Sequence, residues 1–277
     1  YTTLFRSSFR LTLENFSRFN QDAVYPYGAG GANASFALIA RNYMRTYGVT
    51  REDVGRIAVA QRANALRNPH ALMKTPLTIE QYLAARPISD PIHLFDCVMP
   101  CAGAEAFLVM REQTARAHDL PFVRIRSSIE RHNAFPQDSV MLRGGWARDV
   151  DDLWAAAGIG PQDMDLVQTY DDYPFVSMMQ FEDLGFCAKG EGAAFLRGRD
   201  LTVAGDLPHN TSGGQLSVGQ AGCAGGHLGL VEAIRQLTGT AGGTQVPGAR
   251  HALVAGFGMI NFDRGLGSGA VVLEAAP

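Results

Sequence analysis

Apolar positions recur at helical spacing early in the chain. In "ASFALIARNYMRTYG", Phe36, Ile39, Ala40, Tyr43, Met44 and Tyr47 fall on one face, and Gly48 supplies a C-terminal stop. "TREDVGRIAVAQRANALRN" predicts a second helix with a capping signature at Thr50 and an apolar side of Val54, Ile57 and Ala58, extending to Ala65. Residues Thr78 to Ala84 predict a short helix after Pro76. "PIHLFDCVMPCAGAEAFLVM" predicts an apolar strand, a tight glycine turn and a second apolar strand. "LPFVRIRSSIE" predicts another strand. "RDVDDLWAAAGIGPQDMDLVQTY" predicts a helix, a Gly-Ile-Gly-Pro break and a strand ending near Tyr170. "PFVSMMQFEDLGFC" predicts a short helix stopped by Gly185. The glycine-rich "HNTSGGQLSVGQAGCAGG" from His209 leads into a helix with Leu230, Val231, Ile234 and Leu237 on one face. "RHALVAGFGMINF" and "GSGAVVLEAA" predict two final strands. The alternation of helices and strands implies α/β layers.

The layout of "HLFDCVMPCAGAEAFLVM" resembles that of "MINFDRGLGSGAVVLE", which suggests a duplicated unit with a boundary near Asp119 to Pro121. At 277 residues the chain suits about two domains. "YTTLFRS", residues 1–7, resembles a translated sequencing-adapter scar, and an earlier natural start is expected.

Composition narrows the function classes. The chain is 46% hydrophobic and 18% charged, with a net charge of -3 and no basic run, so no nucleic-acid surface is expected. No apolar run approaches the roughly 20 residues needed to span a bilayer. Four cysteines form no CxxC pair, which suggests reduced thiols and a cytoplasmic setting. His93, Cys97 and Cys101 lack a fourth ligand of suitable spacing, so no metal is expected. "YGAGGANAS" has Asn33 where a dinucleotide fingerprint needs a third glycine, and no strand pattern precedes it.

"NTSGGQLSVGQAGCAGGHLGLVEAIRQL", with "ARNYMRTYGVTREDVGRIAVAQRANALRNPHA", "PLTIEQYLAARPISDPIHLFDC" and "GARHALVAGFGM", resembles the thiolase superfamily. The branch it is most like contains the sterol-carrier-protein thiolases, lipid-transfer-protein-like members and similar acetyl-CoA acetyltransferases. The resemblance runs from about Phe9 to Glu274. It implies an α/β thiolase-like fold of duplicated αβα layers with an incomplete first half: residues 8–120 a remnant of the N-terminal half, 121–277 the C-terminal half. It also implies a homodimer acting on acyl-CoA in lipid metabolism, with coenzyme A as part of the substrate and no covalently bound cofactor.

Thiolase chemistry needs a cysteine nucleophile, a histidine that activates it and a second cysteine that moves a proton at the substrate α-carbon. By the resemblance, the nucleophile's segment precedes Phe9. Gln220 stands at the position of the family histidine and takes no proton at useful pH. No cysteine follows Cys223, and Gly267 or a neighbour fills the second cysteine's place. "TYDDYPF" aligns with a motif of Asn-Glu-Ala-Phe or His-Asp-Cys-Phe type, with Tyr170 replacing the Asn or His and Asp171 following.

The resemblance therefore implies an acyltransferase in full-length form, or one of two alternatives. One is a retro-aldolase of steroid side-chain degradation. That branch uses tyrosines rather than a cysteine nucleophile, pairs with an OB-fold, zinc-ribbon partner and tends to carry Tyr where Gln220 stands. The other is a non-catalytic acyl-CoA-binding subunit. Candidate catalytic residues are Tyr170, Gln220 and Asp171; Asp171 and Asp172 also suit caps for the helix at Pro174. A base role for Tyr170 would need its pKa lowered from about 10. Candidate substrate contacts are Asn210 and Ser212 as donors, Gly213 and Gly214 for close backbone approach, and Cys223 near a helix start.

Overall fold

The computed structural model describes residues 22, 24–29 and 31–276. The stretch read as a scar, residues 1–7, lies outside them.

A four-stranded sheet organises the molecule, in the order β3 (Val123–His132), β6 (Arg264–Ala275), β5 (His251–Asn261), β4 (Leu166–Gln168). The two predicted final strands, β5 and β6, pair antiparallel, β3 joins β6 antiparallel, and β4 lies parallel to β5. Successive side chains of a strand point to opposite faces, and here both faces of β5 are covered. Leu253, Ala255 and Phe257 belong to the main core; Ala252 and Val254 belong to a second cluster.

On the main-core side lie α1 (Gly31–Tyr47), α5 (Trp146–Ala157) and α6 (Pro174–Asp183). Phe36, Ile39, Ala40 and Tyr43 of α1 are buried there, as the periodicity predicts. Gly48, φ 69°, follows α1 and Gly185, φ 83°, follows α6, both in the left-handed region that favours glycine. On the other face α9 (Leu228–Leu237) buries Ala233 and Leu237 against Leu166, Ala252 and Leu273.

Between α1 and β3 come α2 (Arg51–Ala65), α3 (Ile79–Leu83), a small antiparallel pair of β1 (Pro87–Ser89) with β2 (Ile92–His93), and α4 (Glu112–Ala117). Thr50 closes the expected capping box on α2: its side chain accepts from the Asp53 N–H, and its own N–H donates to Asp53 Oδ2 at 2.9 Å. The remaining helices are α7 (Gly192–Arg197) and α8 (Gly214–Val218).

One predicted element does not form. β2 is two residues long, and residues 101–111 carry no strand or helix. Leu108 and Val109 are 80% and 79% exposed. A strand is held by hydrogen bonds to a neighbour, and no described strand edge lies alongside this segment. The expected internal symmetry with the β5–β6 hairpin is therefore not realised here. No helix among the described residues is long and apolar enough to cross a membrane.

Candidate active site

Two chain segments run side by side at one end of the sheet. β4 leads into Thr169 and Tyr170. The segment of Pro208 to Asn210 pairs with it in parallel: the Val167 N–H donates to Pro208 O at 2.9 Å, and the Asn210 N–H to Val167 O at 3.0 Å. Loops leaving the carboxyl ends of adjacent parallel strands form the usual crevice of an open α/β sheet. Here the crevice is lined by Tyr170, Asp171, Asn210, Gln215 and Leu228, with backbone from Gly214, Gly225 and Gly226.

Tyr170 is fixed through its main chain. Gln180 of α6 accepts from the Tyr170 N–H at 3.0 Å and donates back to its carbonyl at 2.7 Å. The half-buried ring lies 6.2 Å from that of Phe257. The hydroxyl donates to Asp172 Oδ2 at 3.0 Å. Gln220 Nε2 donates to the other oxygen, Oδ1. Gln220 is itself held by segment 99–101, its N–H donating to Met99 O and its carbonyl accepting from the Cys101 N–H, both at 2.9 Å. Tyr170, Asp172 and Gln220 thus form one hydrogen-bonded unit drawn from two loops.

Burial sets the protonation of this unit. It raises the Tyr170 pKa, and the neighbouring Asp172 raises it further, the reverse of the lowering that a free tyrosinate base needs. Burial also pushes Asp172 up to about 7, against the pull of the Tyr170 hydroxyl.

Asp171 holds α8 instead of capping α6. Its Oδ1 accepts from the Gln215 N–H at 3.0 Å, and its Oδ2 from the Leu216 N–H at 3.2 Å and Gln61 Nε2 at 3.0 Å. The residue before α6 is Tyr173, which makes no side-chain cap, so neither Asp171 nor Asp172 caps that helix. α8 begins after Gly213, which has no side chain to offer, and a carboxylate from another loop takes that duty. Burial raises the Asp171 pKa to about 6 despite these donors.

The two glycines also differ from expectation. A Cβ on Gly213 would meet Ala65 Cβ at 2.5 Å, and one on Gly214 would meet the Asp171 carboxylate. The space they leave is filled by α2 and by Asp171, so the close approach they permit lies within the protein. Gly214 still lines the crevice through its backbone.

Asn210 sits at φ 42°, 1% exposed. Its Oδ1 accepts from the Thr169 N–H at 2.9 Å, which leaves its Nδ2 as a buried donor without a partner among the described residues. Ser212 is buried, and its carbonyl accepts from Asn68 Nδ2 at 3.0 Å. The backbone of Cys223 lies in the 3-10 turn Gly222–His227 that precedes α9; its side chain lies outside what the structure describes. His227 is exposed beside Phe107.

Sequence reasoning missed two residues, one lining the crevice and one bonded to Tyr170. Gln215 Oε1 is a buried acceptor without a partner among the described residues. Asp172 was legible only as a possible cap. The signal available for both was a polar side chain inside a segment otherwise patterned for burial.

The same architecture is found in known proteins. A family model described as thiolase C-terminal domain-like matches residues 127–266, half of the chain. The 17-hydroxy-3-oxo-4-pregnene-20-carboxyl-CoA lyase of Mycobacterium tuberculosis is 36% identical over 247 residues, 85% of this chain and 62% of that protein. A steroid side-chain-cleaving aldolase of Thermomonospora curvata is 35% identical over 225 residues, 78% of this chain and 56% of that protein. The solved structure of an Ltp2-ChsH2(DUF35) aldolase superposes with a TM-score of 0.71 at 29% identity, covering 87% of this chain and 63% of that one. The chain spans about three fifths of the length of these relatives. With its sheet, its glycine-rich loop and half of its residues matched in this way, the chain belongs to the thiolase superfamily, in the thiolase C-terminal domain-like family.

Proposed function

We propose that the chain is part of an enzyme that cleaves a steroid side-chain β-hydroxyacyl-CoA by a retro-aldol reaction. The observation that carries this is Tyr170, clamped through its main chain at the crevice, with its hydroxyl paired to the half-buried Asp172 carboxylate, opposite a glutamine where acyl transfer requires a proton-accepting histidine. Retro-aldol cleavage needs an acceptor for the β-hydroxyl proton and a donor for the enolate oxygen that forms as the Cα–Cβ bond breaks. Tyr170 suits the first role. The unpartnered Asn210 Nδ2 suits the second, because a buried donor with no protein partner costs nothing to redirect at a thioester oxygen.

The similarity to two steroid-cleaving lyases supports the substrate class. Coenzyme A enters as part of the substrate, and the chain acts in the cytoplasm as a homodimer. The Ltp2-ChsH2(DUF35) neighbour supports pairing with an OB-fold, zinc-ribbon protein.

Acyl transfer is less well supported. Cys101, whose backbone is bonded to Gln220, has its thiol pKa raised by burial, whereas a nucleophile needs it lowered.

The test compares the chain and its Tyr170→Phe variant, each with the OB-fold partner, on a steroid side-chain β-hydroxyacyl-CoA. The variant should lose about 100-fold or more in kcat, the usual weight of a proton-transfer group. An unchanged kcat would remove Tyr170 from the reaction.

A further inference from the structure

The position of Asp172 explains neither a cap nor a salt bridge. Among the described residues no ion pair reaches it, and its two oxygens are occupied by two neutral donors, the Tyr170 hydroxyl at 3.0 Å and the Gln220 amide. Asp172 is half-buried, and its carboxylate meets only these neutral partners, with no cation among the described residues to hold its charge. A protonated one has a hydrogen to place where a donor already points. Such a carboxyl is poised to exchange its proton with the hydroxyl beside it.

We propose that Asp172 is the proton store of this site: it takes the Tyr170 hydroxyl proton on Oδ2 as Tyr170 takes the proton of the substrate β-hydroxyl. The inference rests on the retro-aldol reaction proposed above. In the cleavage step the substrate O–H bond breaks, and its proton goes to Tyr170 Oη. The Tyr170 O–H bond breaks, and that proton goes to Asp172 Oδ2. The freed substrate electron pair becomes the carbonyl π bond. The Cα–Cβ bond breaks, and its pair becomes the thioester enolate. Protonation of Cα returns the stored proton through Tyr170, so nothing beyond the substrate is consumed. Gln220 holds Oδ1, which leaves Oδ2 turned to Tyr170. Asp172 touches Tyr170 rather than substrate and is therefore a positioning residue.

The electrostatics agree with this role. A free tyrosinate is unfavourable here, since burial and Asp172 raise the Tyr170 pKa. A concerted transfer to Asp172 avoids forming one. The carboxyl is pushed to about 7, first by burial, with Asp171 adding to the rise and the Tyr170 hydrogen bond opposing it. The Tyr173 hydroxyl, just before α6, also interacts with it. Burial raises the Tyr173 pKa, so that group stays neutral near pH 7.

The test uses Asp172→Asn, which keeps the shape but stores no proton, and Asp172→Glu, which restores the carboxyl. With the β-hydroxyacyl-CoA and partner, the wild type should gain activity as pH rises through about 7. Asp172→Asn should lose about 100-fold in kcat at unchanged KM and lose that pH limb; Asp172→Glu should recover part of the rate and the limb. A kcat for Asp172→Asn equal to wild type, or a loss confined to KM, overturns the proposal. If the wild type itself cleaves nothing, the aldolase reading fails, and the dyad is judged by carboxyl carbon NMR. An Asp172 titration near 7 that moves in Tyr170→Phe sustains the proton-sharing pair. A titration near the ordinary 3.8 that is indifferent to Tyr170 overturns it.

Discussion

At the scale of single residues, burial without a charged partner governs behaviour. His209 is the plainest case. It is 0% exposed, its Nε2 lies 2.7 Å from the Thr169 hydroxyl, and its Nδ1 has no partner among the described residues. Burial pushes its pKa from 6.5 down to about 3. Between those values the unfolded chain binds a proton that the folded chain refuses. The sign follows: the contribution to stability is present above about 6.5 and is lost as pH falls towards 3. The urea midpoint should therefore drop more between pH 7.5 and 4.5 in wild type than in His209→Gln, which cannot be protonated. Equal drops would mean that His209 does not report on folding.

At the scale of elements, the junction between α8 and its neighbours fixes the crevice. Gly214 has φ 61°, and a Cβ there would lie 2.1 Å from Asp171 Oδ2. Gly214→Ala therefore adds left-handed strain of about 1–2 kcal/mol and displaces the carboxylate that holds α8. Denaturant unfolding should show a loss at least that large. A variant as stable as wild type would show that Asp171 can move freely. This junction marks the limit of what the sequence reveals. α1 and α2 are legible because a periodic apolar stripe and a local stop or cap both lie within the helix and its flanks, and α9 from its apolar stripe alone. β5 and β6 are legible from branched and small apolar runs. Asp171 reads locally as a cap for the next helix, yet its donor lies 44 residues away at Gln215, and such a partner leaves no local trace. Residues 101–111 have the composition of a strand but lack an edge to pair with among the described residues, and composition alone cannot supply one. Tyr170 and Gln220 could be singled out by motif position, but Asp172, which joins them, could not.

At the scale of the whole molecule, the candidate site gathers at one sheet end. β4 and the Pro208–Asn210 segment deliver Tyr170 and Asn210, α6 clamps Tyr170 through Gln180, and the glycine-rich loop brings Gln220. None of these contacts involves a thiol nucleophile. The central claim is that this arrangement breaks a carbon–carbon bond in a β-hydroxyacyl-CoA rather than transferring an acyl group. The most direct measurement incubates the chain and its OB-fold partner with a steroid side-chain β-hydroxyacyl-CoA, and separately with a β-ketoacyl-CoA plus free coenzyme A, and identifies the products by mass. The account predicts a released ketone and a shortened acyl-CoA from the hydroxy compound, and no thiolysis of the keto compound. Thiolysis of the keto compound with the hydroxy compound left intact would contradict it, and binding of both without reaction would make the chain an acyl-CoA-binding subunit.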